Sequence, residues 1–108
     1  MAEPSPDALM LAGKYPEARA AFEAAVRAGG DKKTLLFRIA ECHVNEGKPD
    51  SYTAALKICV ELQTLDPAKG HLVRGMVYGR LGRKVDSQRE YANAARYGDS
   101  VAKASLEK

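Results

Sequence analysis

Several residue types and patterns that mark specialised classes of protein are scarce or missing in this chain of 108 residues. Tryptophan is absent, and phenylalanine and cysteine occur twice each, so no disulfide framework of the kind found in small secreted domains is present. No apolar run approaches the roughly 20 residues of a membrane-spanning helix, and the first six residues lack the features of a secretory signal. We therefore expect no membrane span and take the cytoplasm as the default compartment, with a processed periplasmic form left open.

Sequence motifs for catalysis, phosphate binding and metal binding are also missing. The chain has no Gly-rich phosphate loop, no Gly-x-Ser-x-Gly and no His-Glu-x-x-His. Its thiol and imidazole groups are Cys42, His43, Cys59 and His71, without a Cys-x-x-Cys pair. The neighbours Cys42 and His43 would diverge by about 100° around a helix. We expect no enzyme activity, no metal and no cofactor, and we interpret both cysteines as buried free thiols; a disulfide between them would need Cα atoms within about 7 Å.

The sequence does contain helical periodicity that is interrupted by glycine, proline and capping residues. The predicted helices cover residues 7–12, 16–28, 32–46, 51–65, 68–81 and 85–97, followed by a short helix over 100–107. Asp31 is the predicted cap of the third helix. Three glycines in the fifth helix, Gly70, Gly75 and Gly79, each cost about 1 kcal/mol relative to alanine. They predict close approach of a neighbouring helix.

The chain also repeats itself. Segments aligned on their turn glycines show a small residue, a large residue four positions later and a small residue three positions after that. The aligned positions are Ala18, Phe22 and Ala25; Ala55, Cys59 and Leu62; and Ser87, Tyr91 and Ala94, with Cys59 and Leu62 as departures in size. The repeating unit is therefore predicted to be a pair of helices.

This pattern resembles the tetratricopeptide repeat. Gly13-Lys14-Tyr15-Pro16-Glu17-Ala18, followed by Phe22 and Ala25, is similar to the end of one repeat, and Leu65-Asp66-Pro67 is similar to a repeat ending. The departures are a first helix reduced to residues 7–12, three extra residues in the turn 48–51, Lys84 where the family prefers an aromatic residue, and the lack of tryptophan. An unrelated antiparallel helical bundle is the competing interpretation.

The resemblance implies an all-α fold in which residues 1–108 form a single domain. It would be a right-handed array of antiparallel helix pairs over 7–30, 31–67 and 68–98, with a capping helix at 99–108. Such arrays need terminal caps, and only Leu9 and Met10 are available to cover the first pair around Phe22. The apolar face at Phe22 therefore predicts a trimmed array, a homodimer, or a partner that supplies the missing helix.

The resemblance also implies a function, which is the binding of a peptide or protein in a concave groove lined by the first helix of each pair. Phe37, Leu72 and Met76 are the predicted apolar anchors, with ordinary core packing as the alternative for them. The full set of predicted groove residues is Thr34, Phe37, Glu41, Val44, Asn45, Lys69, Leu72, Met76, Arg80 and Arg83. The carboxylate tail of heat-shock chaperones, which some members of the family bind, is disfavoured because only Lys69 matches.

Charge along the chain indicates the kind of ligand. Eight basic and nine acidic residues occur up to Leu65, against nine basic and five acidic residues from Asp66 onward. This basic excess favours acidic residues in the partner, and the apolar anchors favour apolar residues. A role as a structural part of a larger array is the second hypothesis. Binding of nucleic acid through the basic C-terminal half is disfavoured, because Tyr78 and Tyr91 match packing positions and the pI of 8.9 is modest.

Overall fold

The computed structural model of the protein describes residues 4–98, so the predicted capping helix at 99–108 lies outside the described residues. The described chain consists of six α-helices without a strand, which confirms the predicted all-α class. The helices are α1 (Pro6–Leu11), α2 (Tyr15–Arg27), α3 (Lys32–Glu46), α4 (Pro49–Leu65), α5 (Pro67–Arg80) and α6 (Lys84–Arg96). None of these helices has the length and apolar character needed to cross a membrane.

Prolines and glycines determine where the helices begin and end. Helix α4 begins at Pro49, two residues earlier than predicted, because proline is favoured in the first turn, where its missing N–H costs nothing. Gly47 ends α3 in the left-handed conformation with φ of 72°. Asp31 is the N-cap residue of α3, as predicted, but it caps the helix without a side-chain bond. Its carboxylate instead accepts a hydrogen bond of 2.6 Å from the Thr34 hydroxyl.

Successive helices pack against each other, and α3 also packs against α5. The interior consists of apolar clusters that follow one another along the chain. One joins α2 and α3 around Phe22 and Ile39, with Leu9 and Met10 of α1 packed against it. The next joins α3, α4 and α5 around Val44, Leu62, Val73 and Val77, and a third joins α5 and α6 around Leu72 and Ala94.

Helices approach each other where the side chains are small or missing. Ala18 and Ala55 are fully buried, and Ser87, at the equivalent position, is buried and donates a 2.7 Å hydrogen bond to the carbonyl of Gly75. A Cβ atom on Gly70 would lie 2.7 Å from the Cβ and 2.9 Å from the Cα of Gln63 in α4. Close approach is therefore confirmed at Gly70.

Two predictions about the surface are wrong. Val60, which the apolar pattern of the predicted helix over 51–65 places in the core, is 66% exposed. Phe22, expected to lie on an uncovered face, is only 5% exposed, because α1 and α3 both pack over it. The apolar face that predicted a homodimer is thus closed within the chain.

The two cysteines lie in different clusters. Cys42 of α3 belongs to the cluster that joins α2 and α3, and Cys59 of α4 belongs to the cluster that joins α3, α4 and α5. Both side chains are fully buried. Burial is the main reason that the pKa of each thiol is raised to about 11. Each thiol is therefore shielded from solvent and kept in the protonated, unreactive form.

Replacing Gly70 with alanine is expected to lower the free energy of unfolding by about 1–3 kcal/mol, because the backbone of Gln63 leaves no space for the added methyl group. Gly79→Ala in the same helix is the matched control, since its Cβ would meet only the Ser87 hydroxyl at 3.4 Å. That variant should be as stable as the wild type or more stable by up to about 1 kcal/mol. Urea unfolding measures both, and equal stabilities for the two variants would contradict the packing described.

Both thiols are expected to resist alkylation in the native protein at pH 8, where a pKa of about 11 leaves only about a thousandth of each as thiolate. In denaturant without reductant, titration should count two reactive thiols. Rapid labelling of the folded protein would contradict the burial of these residues. Absence of reactive thiols after denaturation would show that they had formed a disulfide.

Candidate functional site

Two adjoining clefts form the candidate site. The first cleft, of about 420 Å³, lies between α1 and α3. The second cleft, of about 350 Å³, lies between α3 and α5. The first is lined by Asp7, Met10, Leu11, Tyr15, Arg38 and Asn45, and the second by Val44, Asn45, Met76, Gly79, Arg80 and Tyr91. Asn45 is common to both, so the two clefts meet at the end of α3.

Six of the lining residues occupy equivalent positions in three helices when they are counted back from the turn glycines Gly13, Gly47 and Gly82. The residue two positions before each glycine lines a cleft, and so does the residue three positions before it. These residues are Leu11, Asn45 and Arg80, and Met10, Val44 and Gly79. The ends of α1, α3 and α5 therefore contribute corresponding surfaces to the two clefts.

Arg38 ties α1 to α3 in the first cleft. Its guanidinium donates to Asp7 at 2.5 Å and to Glu41 at 3.1 Å, and it lies 6.0 Å from the centre of the Phe22 ring. The hydrogen bond to Glu41 is the main cause of a raised pKa for Arg38. Two carboxylates thus balance the one cation here, and the apolar surface of Leu11, 92% exposed, stands beside them.

The second cleft has a different charge. Arg80 is exposed at the end of α5 and donates to the Asn45 amide oxygen at 3.1 Å. None of the described residues that line this cleft is acidic. Half-buried Met76 supplies an apolar wall. The second cleft therefore carries one positive charge that a neutral amide holds in place.

The structure brings only part of the predicted groove together. Four of its predicted residues, Val44, Asn45, Met76 and Arg80, line the second cleft. Glu41 is engaged by Arg38, and Arg83 pairs with Asp86 at 2.7 Å.

Of the three predicted apolar anchors, Met76 lines the second cleft, whereas Phe37 and Leu72 line neither cleft. Leu72 is 3% exposed and lies in the core, because α5 is packed on several sides. Val44 is 2% exposed and belongs to the core as well, although it also lines the second cleft. Phe37 is half-buried, with the ammonium of Lys69 4.7 Å from its ring centre. Neither Phe37 nor Lys69 is among the residues that line the two clefts, and Thr34 is likewise outside them.

Sequence reasoning missed the contribution of the first helix. Asp7, Met10 and Leu11 of α1 line the first cleft, together with Tyr15 of α2 and Arg38 of α3. The signal was available, because Asp7 and Leu11 stand six and two positions before Gly13, just as Glu41 and Asn45 stand before Gly47. Tyr91, which lines the second cleft, was assigned to packing alone.

A third, smaller cleft of about 230 Å³ lies at the turn between α3 and α4. There Arg19 of α2 donates to Glu46 and to the Nδ1 atom of His43, the latter at 3.3 Å, and Ser51 of α4 donates to Glu46 at 3.4 Å. This network ties three helices together. Burial, and then the charge of Arg19, lower the pKa of His43, while Glu46 and Glu23 act in the opposite direction.

Comparison of the chain with protein-family models, curated proteins and solved structures gives no match. Among residues 4–98, no three His, Cys, Asp or Glu side chains are grouped so that they could hold a metal ion. The geometry and charge of the clefts are therefore the basis on which a function can be argued.

The lowered pKa of His43 predicts a pH dependence of stability. Because the folded-state pKa lies below that of an unperturbed histidine, about 6.5, the neutral ring stabilises the fold fully above that pH. This contribution is lost as the pH falls through the lower, folded-state pKa. His43→Asn keeps an acceptor near Arg19 but does not titrate, so its urea midpoint should fall less between pH 7 and pH 5. A variant whose midpoint falls as steeply as that of the wild type would contradict this role.

Proposed function

We propose that this chain is a protein-interaction module, built from three tetratricopeptide-like helix pairs, that binds a peptide segment of another protein across the first and second clefts. The pairs would be α1 with α2, α3 with α4 and α5 with α6, stacked as a right-handed array. Contact between α3 and α5 supports this arrangement, since stacked pairs bring their first helices side by side. The observation that carries the function is the lining of two adjoining clefts by equivalent positions of α1, α3 and α5.

The chemistry of the lining residues favours binding over catalysis. No described residue of either cleft is a serine, cysteine or histidine that could act as a nucleophile or a base near neutral pH. Arg38 is held by two carboxylates, and Asn45 is held by Arg80. What remains free for a ligand is apolar surface on Leu11 and Met76 together with one cation, a combination suited to an apolar and acidic peptide.

Nucleic acid is a poorer fit to the described surface. Arg74 donates to Gln63, while Arg83 and Arg89 share the carboxylate of Asp86. Tyr78 lies under the guanidinium of Arg83, 4.9 Å from its ring centre. These three arginines are thus engaged by side chains of the protein itself, and Tyr78 is covered by one of them, whereas binding of single-stranded nucleic acid uses free cations beside free aromatic rings.

Replacing Leu11 with alanine is expected to weaken binding of peptides by about 1–2 kcal/mol, because the residue supplies the exposed apolar surface of the first cleft. Its side chain is almost free of contacts, so the free energy of unfolding should change by less than about 0.5 kcal/mol. The measurement is fluorescence polarisation with peptides selected on the wild-type chain from a random phage-displayed library. Urea unfolding of each variant accompanies it.

Leu65→Ala is the matched control, because Leu65 is also an exposed leucine at the last position of a helix but lines neither cleft. It should leave peptide affinity unchanged. Failure to select any peptide on the wild-type chain, or equal affinity for the wild type and Leu11→Ala, would contradict the proposed function.

A further inference from the structure

The two clefts differ in charge although they are built from equivalent positions. In the first cleft the cation of Arg38 is balanced by Asp7 within the cleft and by Glu41 beside it. In the second cleft Arg80 has the neutral amide of Asn45 as its partner, and no acidic residue lines the described wall. An acidic ligand group is therefore repelled by Asp7 in the first cleft and attracted by Arg80 in the second.

The hydrogen bond between Arg80 and Asn45 also prepares a second donor. Because the guanidinium donates to Oδ1 of Asn45, the amide nitrogen of that side chain keeps its own donors for a ligand. A carboxylate in the second cleft would meet a charged donor on α5 and a neutral donor on α3. Apolar groups are favoured instead in the first cleft, where exposed Leu11 and half-buried Met10 and Tyr15 meet.

From this asymmetry we propose that the groove recognises a two-part sequence in its partner, an apolar side chain held in the first cleft and an acidic side chain held in the second. The proposal rests on the proposed function and specifies its ligand. The clefts lie on either side of α3 and share Asn45, so their centres are about one interhelical distance apart, roughly 8–10 Å. An extended chain advances about 3.3 Å per residue, which separates the apolar and acidic residues by about three positions.

The acidic group is a side-chain carboxylate of an internal residue. The second cleft offers a single described cation, Arg80, and the partner chain must continue past it toward the first cleft. The test uses a phage library of random peptides whose C-terminal ends are fused to the coat protein, so that no free terminal carboxylate is present. Selection is carried out in parallel on the wild-type chain and on two charge-reversed variants, with the full chain in each case.

Arg80→Glu reverses the charge in the second cleft. Arg27→Glu is the matched control, because Arg27 is also the last residue of a helix but lines neither cleft. The wild type and Arg27→Glu should both enrich peptides with Asp or Glu about three positions from an apolar residue. Arg80→Glu should enrich Lys or Arg at that position while keeping the apolar preference. Replacing the acidic residue of a selected peptide by its amide should weaken binding to the wild type about tenfold, an effect that shrinks at high salt.

The outcomes separate this inference from the proposed function. Peptides that bind through Leu11 but show no acidic position, or an acidic preference that survives in Arg80→Glu, would overturn the two-part motif while the groove stays a peptide site. Light scattering tests a further outcome. If the wild type self-associates and Arg80→Glu abolishes this, a second copy of the chain fills the second cleft, and the two-part motif is overturned as well. Absence of any enriched peptide on the wild type would remove the proposed function itself.

Discussion

Close contact between helices at small side chains is the constraint on which the rest of this structure depends. Buried Ala18 and Ala55, and Ser87 with its hydrogen bond to the Gly75 carbonyl, stand at the positions where helices meet. Gly70 allows α5 to lie against the backbone of Gln63. Because the helices lie close together at these positions, a large residue such as Phe22 reaches the neighbouring helix and fills the space beside the contact. Without these close contacts the chain would consist of amphipathic helices with no defined partners.

The same contacts account for the candidate site. Where neighbouring helices meet through small residues, the ends of α1, α3 and α5 present side chains at equivalent positions to two adjoining clefts. The residues two positions before the turn glycines need not share the same chemistry, because none of them is buried. Leucine, asparagine and arginine occupy the same place before Gly13, Gly47 and Gly82. Equivalent positions on α1, α3 and α5 thereby present an apolar, a neutral polar and a charged side chain to the clefts.

Polar side chains connect the helices without disturbing the apolar interior. The Arg38 ion pairs reach from α3 to α1, and the Arg19, His43, Glu46 and Ser51 network joins α2, α3 and α4 beside the third cleft. In each network the charged groups are only partly buried, so their contribution to stability is modest. Their more important effect is on the surface, because Arg38 is neutralised while Arg80 keeps its charge.

The sequence by itself determined the order and ends of the helices, because these depend on local features such as proline in a first turn, glycine after the last turn and the apolar period. It also indicated the positions of small residues at which helices meet, and four of the predicted groove residues, Val44, Asn45, Met76 and Arg80, line the second cleft. Only the tertiary structure decided that Leu72 lies in the core. Helix α5 packs against α3, α4 and α6, and a helix with several neighbours has no single apolar face that its own pattern can reveal.

The role of α1 was likewise decided by tertiary structure. Six residues are too few to form a stable helix alone, so neither its cover over Phe22 nor its contribution of Asp7 and Leu11 to the first cleft follows from local preference. Both depend on docking against α2 and on the ion pair with Arg38, 31 residues away. Burial and charge pairing arise only when two surfaces of the protein come into contact. The sequence pattern indicates the chemistry of each surface but not which other surface it contacts.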